Sequence, residues 1–213
     1  MNLRRTITAA TAALVVGAGI SLAPAASAAA PSGTTSLAEV LASDGDTFDR
    51  NWYDYDVLDQ AVAAVLKAKP DSPVAVLADG TVPLTAFLPN DRAFQLFALD
   101  LTHRWYTSEA SVLTAIARAA GIDAVEQVLL YHVVPGATVD SATALASNGA
   151  RLTTAQGGDV TVRVLSTKYG IAFLQDKDRN DLDPWLVRSQ LDLNKGNVQI
   201  AHGISLVLRP ANL

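Results

Sequence analysis

Between Leu58 and Leu66 the apolar residues Leu58, Ala61, Val62, Val65 and Leu66 fall at the three-and-four spacing of a single helix face, and Pro70 stops the run. The spacing predicts an amphipathic helix. The same period returns through Ala93, Phe94, Leu96, Phe97 and Leu101, and again through Val112, Leu113, Ile116 and Ala117 as far as Gly121. A further helix runs to Leu130. Ser36-Leu37-Ala38-Glu39 has the form of a capping box, in which hydroxyl and carboxylate each close the other's open amide, so a short helix begins there. Ser108 and Asp123-Ala124-Val125-Glu126 supply starts for the two helices of the middle third. Val74 to Leu77 and Leu84 to Leu88 are short apolar runs separated by the turn signal Asp79-Gly80, and both read as strands.

Past Tyr131 the period falls to two. Tyr131 to Val134 is apolar and branched, Pro135-Gly136 turns the chain, and Val160, Val162 and Val164 alternate with Thr161 and Arg163. Arg151 to Thr154, Ile171 to Leu174, Val198 to Ala201 and Ile204 to Leu208 continue the strand pattern. The gaps between these strands are too short for crossover helices, so they should pair mainly antiparallel. Helices first and strands afterwards make the class α+β.

Residues 1–28 read as a bacterial-type signal peptide. Arg4 and Arg5 form the basic start, Ile7 to Leu22 is uncharged, and Ala26-Ser27-Ala28 fits a peptidase site. The stretch is weakly apolar and broken by Pro24, short of the roughly 20 strongly apolar residues of a membrane span. Residues 29–35 are expected to be a flexible tether, and 36–213 a single domain, because no Pro/Ser linker, repeat or charge block divides them. The expected location is secreted or extracellular, with no stable membrane insertion after cleavage.

Composition narrows the function further. With no cysteine there is neither a disulfide nor a lipid-attachment thiol, and half of the chain is apolar, enough for one self-sufficient core. The formal charge of −5 argues against nucleic acid, which needs a basic footprint. Candidate catalytic and metal chemistry is thin. His103, His132 and His202 lack the local pairing of a zinc site, and Gly203-Ile204-Ser205-Leu206-Val207 lacks the second glycine of a hydrolase elbow. Ser205 is read as core. Asp176-Lys177-Asp178-Arg179-Asn180-Asp181-Leu182-Asp183 begins like a calcium loop, but an EF-hand would want glycine where Asp181 stands and glutamate where Val187 stands. It is read as a solvated turn. Trp52, Tyr53 and Tyr55 cluster at a helix entrance and are read as packing.

Two segments remain. Thr85-Ala86-Phe87-Leu88-Pro89-Asn90-Asp91-Arg92-Ala93-Phe94 and Leu130-Tyr131-His132-Val133-Val134-Pro135-Gly136 together resemble the paired signature of fasciclin-like domains. Thr85, Phe87, Pro89, Asp91, Ala93 and Phe94 fit the first motif, while Leu88 and Asn90 depart from it. In the terminal motif His202, Ile204, Val207, Leu208 and Pro210 fit, but Val198, Gln199 and Ser205 replace the usual asparagine, glycine and aspartate. The resemblance implies a β-wedge of two mainly antiparallel sheets flanked by helices in the N-terminal half. It also implies a non-enzymatic adhesion or interaction module that engages an extracellular protein or polysaccharide through its surface, without cofactor or metal. Thr85, Phe87, Pro89, Asp91, Phe94 and His202 are then structural motif residues, and Tyr131 and His132 are the candidate partner-binding pair. The bland reading of His132 is a buried hydrogen bond, expected to reach Thr85, Asn90 or Asp91. Alternatives are a carrier of an apolar ligand and a hydrolase.

Overall fold

The computed structural model describes residues 32–45 and 47–211, so the expected signal peptide lies outside the described residues. Helix α1 (Leu37–Leu41) opens on the expected capping box, with Ser36 and Glu39 closing each other's backbone amides. Helices α2 (Asp56–Ala68), α3 (Asp91–Thr102), α4 (Glu109–Ala120) and α5 (Ile122–Tyr131) follow, with strand β1 (Leu84–Pro89) between α2 and α3. After α5 come β2 (Val133–Pro135), α6 (Ser141–Ala146), β3 (Arg151–Thr153), β4 (Asp159–Ser166), β5 (Ile171–Gln175) and β6 (Gln199–Ile204).

The strands form two three-stranded sheets, ordered β2-β1-β6 and β3-β4-β5. Three of the four strand pairs are antiparallel, and the exception is β1 with β6, parallel in register from Leu84 opposite Gln199 to Pro89 opposite Ile204. Both strands of that pair are buried along their whole length. Their alternating side chains serve two cores. Leu84, Ala86, Leu88 and Ala201 face the helices with Val57, Val65, Phe94, Phe97, Ile116 and Leu129. Phe87 and Ile204 face the second sheet with Val134, Val160, Val162, Leu174 and Leu208. The result is three layers: helices, central sheet, outer sheet. The segment from Pro184 to Leu193 binds the two sheets at one side, since Leu186 N–H donates to Ala172 O at 3.0 Å while Val187 N–H donates to Gly203 O at 2.8 Å.

Several expected elements differ. Val74 to Leu77 is a 3₁₀ turn, Pro73–Ala78, because Pro73 fixes its start and the Ser72 hydroxyl accepts the Val74 amide; Val74 and Leu77 are buried three residues apart. Asp123 and Glu126 do not cap α5, which already begins at Ile122 off Gly121 (φ 80°). They pair with Lys69 instead, and Glu126 also accepts from the Ser72 hydroxyl. Tyr131 ends α5 rather than starting a strand, and β2 is correspondingly short. The two last strands merge into β6, which stops at Ile204 because its partner ends at Pro89.

Residues 32–35, expected within the tether, are docked. Ser32 and Gly33 amides donate to Gly196 O, the Val198 amide donates to Gly33 O, and the Thr35 amide donates to Asn197 Oδ1 at 3.0 Å. Gly80 permits this path, since a Cβ there would stand 1.8 Å from Thr34 O. Gln199 then fastens the same region from within. Its Oε1 accepts the Leu37 amide at 2.8 Å, and its Nε2 donates to the carbonyls of Val76 and Asp79, each at 2.8 Å. A residue foreign to the usual motif has become an internal clamp. Replacing Gln199 with Leu strands the Leu37 amide and removes one of the donors to each of the Val76 and Asp79 carbonyls, so a loss of about 2–4 kcal/mol is expected. That loss should lower Tm by roughly 5–15 °C in thermal unfolding, and a change under about 2 °C would refute the clamp.

Candidate functional site

The first motif lies on β1 and the start of α3, and its polar residues do three separate structural jobs. Asn90 caps its own helix, accepting the Ala93 amide at 3.0 Å. Asp91, next along, reaches across to the neighbouring helix, where Oδ1 accepts the Val57 amide at 2.9 Å. Thr85 holds the chain beyond β2: its hydroxyl donates to Ala137 O at 2.8 Å and accepts the Val139 amide at 2.9 Å. Pro89 ends β1, and Phe94 is buried in the helical core.

His202 sits opposite Phe87 in the parallel ladder, their ring centroids 6.2 Å apart. Its Nδ1 accepts the Asp192 amide at 3.2 Å, which leaves Nε2 to donate to Val139 O at 2.8 Å. Burial holds its pKa below the usual imidazole value. Thus Thr85 and His202 grip the same strap from two strands.

Tyr131 and His132, the candidate partner-binding pair, lie in the interior at 0% and 4% exposed. The Tyr131 hydroxyl donates to Asp159 O at 2.8 Å and ties the end of α5 to β4. His132 does not reach Thr85, Asn90 or Asp91. Its Nε2 accepts the Leu208 amide at 2.9 Å, so Nδ1 carries the proton and donates to Val128 O at 2.7 Å. Position decides this difference: as the C-cap of α5 the ring hangs back over the last helical turn, facing the returning C-terminal segment and not the β1–α3 corner. Both ring nitrogens of His132 and of His202 are taken by backbone groups, leaving neither imidazole a lone pair for metal binding or general-base work. Ser205 is half-buried, and its hydroxyl accepts the Trp185 amide at 2.9 Å.

The Asp176–Asp183 loop is filled by an arginine. Arg209 meets Asp100 at 2.8 Å, Asp178 at 3.3 Å and Asp181 at 3.0 Å, so a guanidinium stands where a cation would be sought. Burial still pushes Asp176 up to about 7 and Asp181 up to about 6. Of the entrance aromatics, Trp52 and Tyr55 pack on the helical core while Tyr53 is exposed.

The outer face of β3-β4-β5 is accessible. Arg163 and Leu165 of β4 point outward beside Ile171, Phe173 and Gln175 of β5, and Trp185 packs on Phe173 with ring centroids 5.4 Å apart. Leu165 is 63% and Trp185 44% exposed. The polar half of this face runs into a charged groove that includes Arg151, Asp159, Arg163 and Lys177. One signal in the sequence pointed here: Leu165 stands at a position where the alternation of β4 calls for a polar residue.

Residues 58–208 match the family model of the fasciclin domain, and the chain belongs to that family. Its α+β arrangement of helices and two small sheets is the fasciclin fold. Fasciclin domains are generally non-enzymatic adhesion or interaction modules and occur in extracellular or cell-surface proteins. Among solved structures, a FAS1 domain pair from the insect cell adhesion molecule fasciclin I is similar at 16% identity and a TM-score of 0.43, over 70% of this chain and 44% of that one. This chain therefore spans less than half the length of that relative. No curated protein matches. Among the described residues no helix is long and apolar enough to cross a membrane.

The internal role of His132 has a measurable signature. Truncation to Ala leaves the Leu208 amide without an acceptor and should cost about 2–4 kcal/mol at pH 7.5. Burial lowers the folded ring from 6.5 to about 4, so the folded state favours the neutral form. The stabilisation is complete above pH 6.5 and drains as pH falls towards 4. The Tm gap between wild type and His132→Ala should therefore shrink between pH 7.5 and 4.5, and a constant gap would contradict a neutral buried ring.

Proposed function

We propose that this chain is a secreted bacterial adhesion module that binds an extracellular protein or polysaccharide through the outer face of β3-β4-β5, without an enzymatic step. In this reading residues 1–28 are the signal peptide and residues 36–213 the working domain. The observation that carries it is the strip of Leu165, Ile171 and Trp185 standing in solvent beside Arg163, with half-buried Phe173 packed against Trp185. Aromatic and arginine side chains anchor interfaces because they bury large area while losing little rotamer freedom or while keeping a fixed hydrogen-bonding fork. The family motifs support the same reading by their burial: they build the wedge, and the outer sheet carries the contact. An ordinary fold would place polar side chains at those outward positions.

The test is binding of the purified domain to immobilised envelope polysaccharides and matrix proteins. Trp185→Ala and Arg163→Glu should each weaken capture about tenfold or more, the usual weight of an interface anchor. Neither should shift Tm by more than about 2 °C, as befits surface positions. Wild-type binding by both variants would move the contact elsewhere.

A second reading is favoured by one feature, a pocket of about 320 Å³ among the helices, lined by Ala61, Phe97, Leu113, Ile116, Ala119 and Val128. It lies at the small end of ligand sites and has apolar walls throughout. If the domain is a carrier, native mass spectrometry of the protein as purified will show a stoichiometric added mass, which Ala119→Phe abolishes by filling the space. A bare polypeptide mass removes this reading and leaves the adhesion surface standing.

A further inference from the structure

The first residues of α2, α3 and α4 are Asp56, Asp91 and Glu109, and all three are buried, the latter two at 0% exposure. They meet Asp49 and Asp54 from the loop that precedes α2. Carboxylate oxygens of Asp49, Asp56 and Glu109 lie within 4.8 Å of one another, and so do those of Asp54, Asp56 and Asp91. Asp56 is common to both sets.

A carboxylate at a helix start is by itself ordinary, since the helix dipole favours it. Asp91 Oδ1 is used locally, accepting the Val57 amide, as is Glu109 Oε2, which accepts the Asp49 amide at 2.7 Å. Their second oxygens are not: among the described residues no donor reaches Asp91 Oδ2 or Glu109 Oε1, both enclosed, nor the enclosed Asp54 Oδ1. The charged groups that act most on Asp91 and Glu109 are other carboxylates of this cluster. Oxygens of Asp54, Asp56 and Asp91 crowd within 4.8 Å of one another, and like charges so placed are costly in a dry site. Such an arrangement calls for a positive species.

We propose that these five carboxylates form a divalent-cation site, suited to calcium, which joins the loop before α2 to the N-termini of α2, α3 and α4. The donor set is all oxygen, which selects a hard cation over zinc or copper. Calcium holds its oxygens at about 2.3–2.6 Å, so two ligands on opposite sides stand about 4.6–5.2 Å apart, and oxygens gathered within 4.8 Å of one another can reach one such ion. Magnesium, at about 2.0–2.1 Å, needs a tighter cage. Asp49 is exposed and Asp54 half-buried, giving the ion a path from solvent.

The experiment is calorimetric titration and thermal unfolding of the chelator-treated full chain with calcium chloride and, separately, magnesium chloride. One calcium should bind per chain, and a large excess over Kd should raise Tm by roughly 5 °C or more, magnesium doing less. Asp56→Asn should abolish the effect. If that variant does not fold, Asp54→Asn at the rim decides, and it should weaken calcium binding at least about tenfold, as loss of one ligand charge does. Asp181→Asn, in the loop filled by Arg209, should leave the response unchanged. The proposal fails if wild type shows neither heat nor a Tm change up to about 10 mM calcium, well past the range of extracellular modules. It fails equally if Asp54→Asn binds like wild type, or if Asp181→Asn removes the binding.

Discussion

Everything else in the molecule is arranged around the parallel ladder between β1 and β6. Its strands are more than a hundred residues apart in the chain, and both are buried from end to end, so the ladder closes only when everything between them is in place. Parallel strands of this kind need cover on both faces. The helices supply one cover and the outer sheet the other, which explains why the domain is a three-layered object with two separate cores. Such long-range pairing also makes folding a late, all-or-none event, because loop closure costs entropy before the contacts offset it.

A second consequence follows from burial. Polar groups carried into a dry interior need partners, and here the partners are backbone amides and carbonyls at the junctions between layers. Thr85 and His202 hold the strap after β2, Tyr131 ties α5 to β4, His132 ties α5 to the C-terminal segment, and Gln199 ties the N-terminal segment to the central sheet. Each of these bonds joins parts distant in sequence. With no disulfide available, this set of internal bonds fixes how the layers sit on one another. Family motif residues therefore act as mortar between the layers.

Acidic groups divide along the same physical line. The Asp176–Asp183 loop, whose spacing is the more suggestive of an ion site, has its charge offset by Arg209. The carboxylates at three helix starts are scattered along the chain, yet they converge with one another as their strongest charged neighbours. Charge spacing along a chain says little about charge density in space, since the fold decides which groups share a dielectric environment.

Class and most of the elements were legible from the chain alone. The three-and-four spacing of Leu58 to Leu66 and of Phe94 to Leu101 marked α2 and α3, Ser36 to Glu39 marked the start of α1, and the alternation of Val160 to Val164 marked β4, because these signals are local and the physics behind them is local. Thr85, Phe87, Pro89, Asp91 and the Tyr131-His132 pair likewise sufficed to indicate the family. What those residues touch was settled by the folded arrangement. That His132 faces Leu208, that Gln199 clamps Leu37, that Arg209 fills the aspartate loop and that Asp56, Asp91 and Glu109 meet are all contacts across tens of residues, set by the closing of one buried ladder. No local pattern encodes them, because a side chain's partner depends on which distant backbone the fold brings within reach.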